Sequence, residues 1–492
     1  MLAVLRVLSY IILFVLPFFS VDNAGWAFYG KNDGSCLNCS GCVMAEKIKV
    51  NCPENELFAA AVRIVEKVRN AGFEIFFVGG AVRDLVLGNT PADIDMVTTA
   101  LPQEICQLFP GAEMVGACFG VVLIKQDGFV FETATCREER LYSDGRRPDE
   151  VKFTKDVKLD LARRDFTVNA MLYDPVAEEV IDYVGGLQDI KKRLLRVVGV
   201  PEERFSEDYL RMLRAIRFAA KLQFEIDDPA WKAICSMAGL CGQIAAERVR
   251  DELENMLCNI DAARALQLLK ASGILRIWLP EVDVLAGVEQ HPKYHPEGDV
   301  WVHTLLMFEK AAVVKDRILA WSILLHDIGK KPAFSVGSDN IPHFYGHEAM
   351  GADMVPAIAQ RLRFSGEYAL AVEHAVRYHM RFASVMDMRE AKLKRLMAEK
   401  YFTMELELHR LDCLCSNGLT AGYDFLCERM KQAGQLNLPE LFINGSDLIK
   451  LGYKPGRLFK EILDQLMDAQ LDGSVKSRED AVRFVKKNFM LN

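Results

Sequence analysis

Residues 73–100, "FEIFFVGGAVRDLVLGNTPADIDMVTTA", constrain this chain more than any other segment. The apolar run after Glu74 predicts a buried strand ending at Gly79-Gly80, and "AVRDLVLG" predicts the first turns of a helix. A strand, a glycine pair and a helix start make a phosphate cradle. The glycines let backbone approach an anion closely, and the first helical N–H groups favour negative charge. Gly79 and Gly80 are therefore candidate nucleotide contacts, with Arg83 one turn further on expected to reach the same phosphates. About ten residues later, Asp93 and Asp95 flank Ile94. In a strand, residues two apart face one side, so both carboxylates meet at one locus while Ile94 turns to the core. Paired carboxylates repel without a cation, so the pattern predicts a divalent ion, with Mg²⁺ the natural companion of a triphosphate. A lone D-x-D is also common in solvent-facing turns; its position behind the glycine cradle is what favours chemistry. Glu132, at the end of the apolar strand in "GFVFETATCREER", is either a third acid of this shell or an ordinary strand-end glutamate.

Three further segments follow in order. "DLARRDFTVNAMLYD" sets Arg163 and Arg164 ahead of an apolar stretch, suited to a triphosphate or sugar. "IDYVGGLQDI" places Asp182 and Gly185-Gly186 at a joint between a sheet and a helical neck. In "SEDYLRMLRAIRFAAKLQFEI", Asp208, Arg211, Arg214 and Arg217 recur every three residues, predicting a drifting stripe along one helix with apolar residues opposite. Together with residues 76–100, these motifs resemble the class II tRNA nucleotidyltransferase and bacterial poly(A) polymerase superfamily, over Phe76 to Ile226. The resemblance implies catalytic Asp93 and Asp95, and nucleotide contacts at Gly80, Arg83 and Arg164, with Arg163 less direct. It also implies that Asp208 and Arg211 act as a protein template for the incoming base. Arg214 and Arg217 would then hold phosphates or brace the acid. The implied partners are tRNA, ATP and CTP.

The superfamily includes CCA-adding, A-adding and poly(A)-adding enzymes, which these motifs do not separate. "CREERLYSDGRRPDEVKF" reads as a mobile loop and resembles the flexible loop of full CCA-adding and A-adding enzymes. A long basic tail of the poly(A) polymerase kind is not seen, so CCA addition is the expectation.

All nine histidines lie between His291 and His409. The apolar helix predicted over "DRILAWSILLHDIGK" ends by presenting His326 and Asp327, then breaks at Gly329. Imidazole with carboxylate suits Mn²⁺, Fe²⁺, Ni²⁺ or Zn²⁺ better than Ca²⁺. The set His303, His326, Asp327 and Asp412 resembles the HD phosphohydrolase pattern. His347 and His379 resemble the extra histidines of subgroups that bind a second metal or the substrate phosphate. His291, His295, His343, His374 and His409 are expected to be ordinary surface or core histidines. Such a domain would act as a phosphatase or 2′,3′-cyclic phosphodiesterase on RNA ends, or serve a structural role alone.

The expected class is α+β: a small mixed-sheet head over 55–190, a helical neck and body over 191–285, an HD domain over 290–425 and a helical tail over 435–492. Tail residues Lys454, Arg457 and Lys460 are equally readable as RNA contacts or a solvated face. Residues 1–43 form a leader of either signal-like or mis-assigned character, the latter with Met44 as the true start. Its Cys36, Cys39 and Cys42 are a weak cluster motif. No membrane partner is expected for the mature part. With 13 cysteines spread through 492 residues and no disulfide-scaffold density, free thiols and a cytoplasmic setting are expected. The net charge of −8 excludes a global positive field, so RNA contact needs a local basic surface. Two other classes remain at this level: an HD hydrolase whose head only binds RNA, and a non-catalytic RNA-binding protein. The intact Asp93, Asp95, Asp208 and Arg211 argue against both.

Overall fold

The computed structural model describes residues 45–115, 120–140, 150–259, 261–338, 341–433 and 438–490, all within one compact unit, Ala45–Asn492. The leader with its three cysteines lies outside the described residues, as does the loop tip over 141–149.

The head is built on eight strands: β1 (Glu46–Lys49), β2 (Ile75–Val78), β3 (Asp95–Thr98), β4 (Glu113–Val115), β5 (Val121–Gln126), β6 (Phe129–Thr135), β9 (Met171–Asp174) and β10 (Glu179–Asp182). Between β6 and β9, β7 (Arg137–Arg140) and β8 (Glu150–Phe153) form a separate ladder. The large sheet runs β1-β10-β9-β2-β3-β6-β5-β4. Its pairs are antiparallel except β3 with β6, so the sheet is mixed. That parallel step registers Met96 against Thr133 and so brings Asp95 alongside Glu132. Helix α1 (Glu56–Asn70) buries Phe58, Ala61, Ile64, Val65 and Val68 in the core, and Asn55 caps it by accepting from the Phe58 N–H. Helix α2 (Gly80–Val86) starts directly behind β2, as the glycine pair predicted.

The segment expected to be a mobile loop is framed by structure. Strands β7 and β8, at its two ends, pair antiparallel, with Arg137 opposite Phe153. Behind β10, Asp182 accepts from the backbone N–H groups of Val184, Gly185 and Leu187, which fixes the start of α3 (Gly186–Lys192).

The body continues with α4 (Pro201–Glu207), α5 (Leu210–Leu222) and α6 (Ala246–Asn259). The histidine-rich part then includes α7 (Val300–Ala311), α8 (Arg317–Leu325), α9 (His347–Arg361), α10 (Gly366–Tyr378) and α11 (Phe402–Cys415). One contiguous apolar cluster runs from Phe58 in the head, through Phe218 and Leu253, to Trp321 and Leu411. Glu254 of α6 adds a polar tie, accepting from Trp321 Nε1 at 3.4 Å and Tyr368 Oη at 3.2 Å, with Arg317 at 3.0 Å. The tail has its own core of Leu448, Tyr453, Ile462, Leu466 and Val485. Arg395 anchors it by ion pairs to Asp464 and Asp468 on α12 (Arg457–Leu471).

Gly186 shows how tightly the head packs beside β10. A Cβ there would lie 2.3 Å from the Thr167 carbonyl oxygen. Gly186→Ala is expected to cost about 1–3 kcal/mol by overpacking, read as a lower midpoint in urea unfolding.

Candidate functional site

Gly79 takes a positive φ of 76°, which a side chain would strain, and its missing Cβ faces Asp95 Oδ2 at 3.6 Å and Arg164 Nη1 at 3.9 Å. The turn, the second aspartate and the candidate nucleotide arginine therefore share one locus. Asp93 lies just ahead of β3 rather than inside it, yet the alternation holds: Ile94 is buried and both aspartates face solvent. Packing around the Asp95 carboxyl, then the charges of Glu132 and Asp93, push it up to about 6 against the pull of Arg164. Three acids thus converge. Arg164 stands beside them, held by Asp160 at 3.2 Å with its Nε making no hydrogen bond. Arg163 is held by the same fully buried Asp160, at 2.6 Å.

Arg83 does not reach outward as the sequence suggested. Its guanidinium is buried beneath the glycine turn, where it donates to Asn169 Oδ1 at 2.8 Å and Asp84 Oδ1 at 2.9 Å. Asn169 also donates to Asp165, at 3.4 Å, and Asp165 in turn receives Arg214 through Nε at 3.0 Å and Nη2 at 2.6 Å. Burial raises the Asp165 carboxyl, but the Arg214 charge and hydrogen bonds hold it below the usual range. Arg217 is taken by Glu252 at 2.6 Å and packs its guanidinium 4.3 Å from the Phe218 ring centre. Arg214 and Arg217 therefore brace the site from below in this structure.

Asp208 is not on one helix with the arginines. It sits at the break between α4 and α5, where its Oδ1 accepts from the Leu210 N–H at 3.1 Å. Arg248 of α6 grips it with both terminal nitrogens, at 3.1 and 2.7 Å. Arg211 donates to the Arg204 carbonyl at 2.9 Å and the Arg163 carbonyl at 3.2 Å, and pairs with Glu207. The three-residue spacing did not show the helix break, because apolar residues at helical spacing run on through it.

The histidines form the second constellation. His326 caps the end of α8, and its Nδ1 lies 2.9 Å from the Ile323 carbonyl oxygen. His347 Nδ1 is 2.9 Å from the Phe344 carbonyl oxygen and His379 Nδ1 is 2.7 Å from that of Val376. A carbonyl only accepts, so each Nδ1 carries the proton and each Nε2 offers a lone pair. The Nε2 atoms of His347 and His379 face each other at 3.2 Å, and those of His303 and His326 are buried without a hydrogen bond. Among the described residues three trios have ligand atoms close enough to hold an ion: His303, His326 and Asp412; Asp327, His347 and His379; and, sharing His303, His295, Glu297 and His303. His303 Nε2 lies 3.2 Å from Asp412, and His326 Nε2 lies 3.1 Å from Asp327. Gly329 makes this possible, since a Cβ there would meet the His347 carbonyl oxygen at 2.0 Å. Of the other histidines, His374 pairs with Glu405, and His409 packs against Phe382. His291 and His343 lie against Tyr294 and Tyr345, while His295 shares Glu297 with His303. Sequence reasoning missed Asp160, Asn169, Arg248, Glu252, Glu297 and Lys330, none of which stands in a spacing that distinguishes it from surface charge.

The raised Asp95 carboxyl gives a sign-specific test. Its folded value lies above that of an unfolded aspartate, about 3.9. Without a cation it therefore lowers stability progressively as pH rises from about 4 to about 6, and fully above that. In EDTA at neutral pH, Asp95→Asn is expected to melt higher than the parent chain, with the difference vanishing near pH 4.

The chain matches the Poly A polymerase head domain over residues 75–196, the "probable RNA and SrmB- binding site of polymerase A" over 223–285, and the HD domain over 300–408. It is 31% identical over 434 residues to the CCA-adding enzyme of Lactobacillus johnsonii, covering 88% of this chain and 98% of that one. Over a shorter stretch of 200 residues it is 48% identical to the CCA-adding enzyme of Lactiplantibacillus plantarum, covering 41% of this chain and 49% of the relative. Among solved structures, the Bacillus stearothermophilus CCA-adding enzyme in complex with CTP superposes with a TM-score of 0.66 at 26% identity, over 88% of this chain and 98% of that one. The Thermotoga maritima CCA-adding enzyme complexed with tRNA shares the fold, with a TM-score of 0.56 at 19% identity, over 90% and 98% of the two chains. Motif geometry and near full-length similarity agree: the chain belongs to the family of CCA-adding enzymes, metal-dependent tRNA nucleotidyltransferases.

Proposed function

We propose that this chain completes tRNA 3′ ends by adding C, C and A from CTP and ATP, with release of pyrophosphate. The observation that carries this reading is the meeting of Asp93, Asp95 and Glu132 with Arg164 at the Gly79 turn, in a chain of this family. A carboxylate cluster that repels itself fits a cation. Asp93 and Asp95, with Glu132 beside them, would hold Mg²⁺, whose chemistry is to activate the RNA 3′-hydroxyl and balance charge on the departing pyrophosphate. Gly79 and Gly80 let the triphosphate approach the backbone, and Arg164 contacts it from the side. Base choice falls to Asp208 and Arg211. Asp208 Oδ1 already takes two hydrogen bonds, so Oδ2 keeps a lone pair for the exocyclic amine of cytosine or adenine. Arg211 donates to the adjacent ring acceptor. Guanine and uracil present a carbonyl and a ring N–H at those positions and leave buried groups mismatched. The head over 55–190 thus transfers, the body over 191–285 selects, and the substrates point to the cytoplasm as the place of work.

A second reading applies to residues 290–425, favoured by the four Nε2 lone pairs converging on Asp327 and Asp412. Buried ligand atoms without partners fit a transition-metal pair, Mn²⁺ or Fe²⁺ in kind, and a phosphomonoesterase or 2′,3′-cyclic phosphodiesterase acting on RNA ends.

Transcripts of tRNA ending before the first C, after the second C, and after A test the first reading, with each nucleotide supplied singly and mixed. C, C and A followed by a stop is the expected result. Addition of A alone, or an open A ladder, overturns it in favour of an A-adding enzyme or a poly(A) polymerase. Asp93→Ala is expected to lower the rate about 10³-fold, from several kcal/mol of lost charge stabilisation. For the second reading, His326→Ala is expected to abolish release of phosphate from 3′-phosphorylated or cyclic-phosphate RNA while CCA addition persists. Hydrolysis surviving that change would remove the histidine site from consideration.

A further inference from the structure

Three of the four candidate histidine ligands are oriented alike, by a backbone carbonyl three residues earlier. His303 is the exception. Its Nδ1 lies 2.8 Å from Glu297 Oε1, a buried carboxylate that also takes His295 Nδ1 at 2.8 Å. Glu297 belongs to the loop 290–298, whose ends are joined by the Gln290 N–H donating to the Gly298 carbonyl at 2.8 Å. From the other end of that loop, Gln290 Oε1 accepts from Lys330 Nζ at 2.6 Å, and the same ammonium lies 2.7 Å from Asp327 Oδ2. One loop therefore reaches both trios without supplying a ligand to either.

The two trios differ in charge as a result. Around His303, His326 and Asp412 the buried negative charge comes from Asp412 and from Glu297 behind His303, while Asp327 Oδ2, 3.1 Å from His326 Nε2, is paired with Lys330. Around Asp327, His347 and His379, the single carboxylate is offset by the buried ammonium of Lys330. Glu348 also approaches His347 Nδ1, at 3.5 Å, but it is one-third exposed and the Nδ1 proton is already taken by Phe344. A carboxylate on Nδ1 makes an imidazole a stronger ligand and locks the tautomer that presents Nε2. It also argues against a cation among His295, Glu297 and His303, since that would move the proton to Nε2 and remove His303 from its trio.

We propose that the loop 290–298 makes the two cation sites unequal, with Glu297 acting as a positioning residue that causes His303, His326 and Asp412 to load first and tightly. The Asp327, His347 and His379 site then loads second and weakly, against Lys330. This rests on reading the histidine cluster as a metal centre.

The test is a Co²⁺ titration of the full chain carrying Asp95→Asn, which weakens the carboxylate site in the head. It is followed by the visible bands of histidine-bound cobalt. Two steps are expected, with His379→Ala removing the weaker and His326→Ala the stronger. Glu297→Ala is expected to weaken the stronger step about 10–100-fold, leave the weaker one in place, and spare CCA addition in the Asp95-intact chain. Glu297→Gln, which still accepts from His303 Nδ1, recovers part of the loss. Two steps with the stronger unmoved by Glu297→Ala, or the stronger lost in His379→Ala, overturn the proposal. A titration in which neither histidine change has any effect overturns instead the metal-centre reading beneath it.

Discussion

The head depends on one buried carboxylate. Asp165 receives two nitrogens of Arg214 from α5 and the amide of Asn169, which in turn receives Arg83 from under the Gly79 turn. Through four side chains α5 is tied to the glycine turn. Such a network is stable only when complete. Removing one partner leaves a charge buried without compensation, at a cost well above what the intact pair contributes. Phe218 completes the arrangement: the guanidinium carbons of Arg83, Arg214 and Arg217 lie 5.6, 5.4 and 4.3 Å from its ring centre. Three cations near one ring and two acids, Asp165 and Glu252, form the floor beneath the site.

This explains which parts of the site could be read from sequence. Gly79, Asp93, Asp95 and Asp208 stand out because they lie in short motifs whose residue types are rare together. Glu132, which the sequence leaves between a third acid and an ordinary strand-end glutamate, comes to the cluster through the parallel pairing of β3 with β6. No local pattern encodes that pairing, because the two strands are separated by β4 and β5. Arg83 and Arg164 look equivalent in sequence, yet one is spent on internal support and the other faces the acids. What separates them is the burial of α2 against the core, a tertiary property. The α+β class and the strand–glycine–helix start were legible because hydrophobic periodicity reports them directly. The break at Asp208 was not, since Phe205, Tyr209, Leu213 and Ile216 keep helical spacing across it.

In the histidine-rich part, residue choice was legible and pairing was not. His303, His326, Asp327 and Asp412 are recognisable by type, and the structure joins them with His347 and His379 into two trios rather than one list. The division is set by backbone: the first trio comes from α7, the end of α8 and α11, the second from the turn after α8, the start of α9 and the end of α10. Asp327, directly after His326, belongs to the second trio although its neighbour belongs to the first. One dipeptide thus divides between the two candidate cation sites.

The continuous apolar core from Phe58 to Leu411, with Glu254 bridging body and histidine helices, has a consequence for how an RNA end is handled. That shared core places the Gly79 turn and the histidine cluster in one compact unit, each at its own address on it. Were the histidine cluster to act on RNA ends as proposed above, a terminus served by both would pass along the surface from one address to the other.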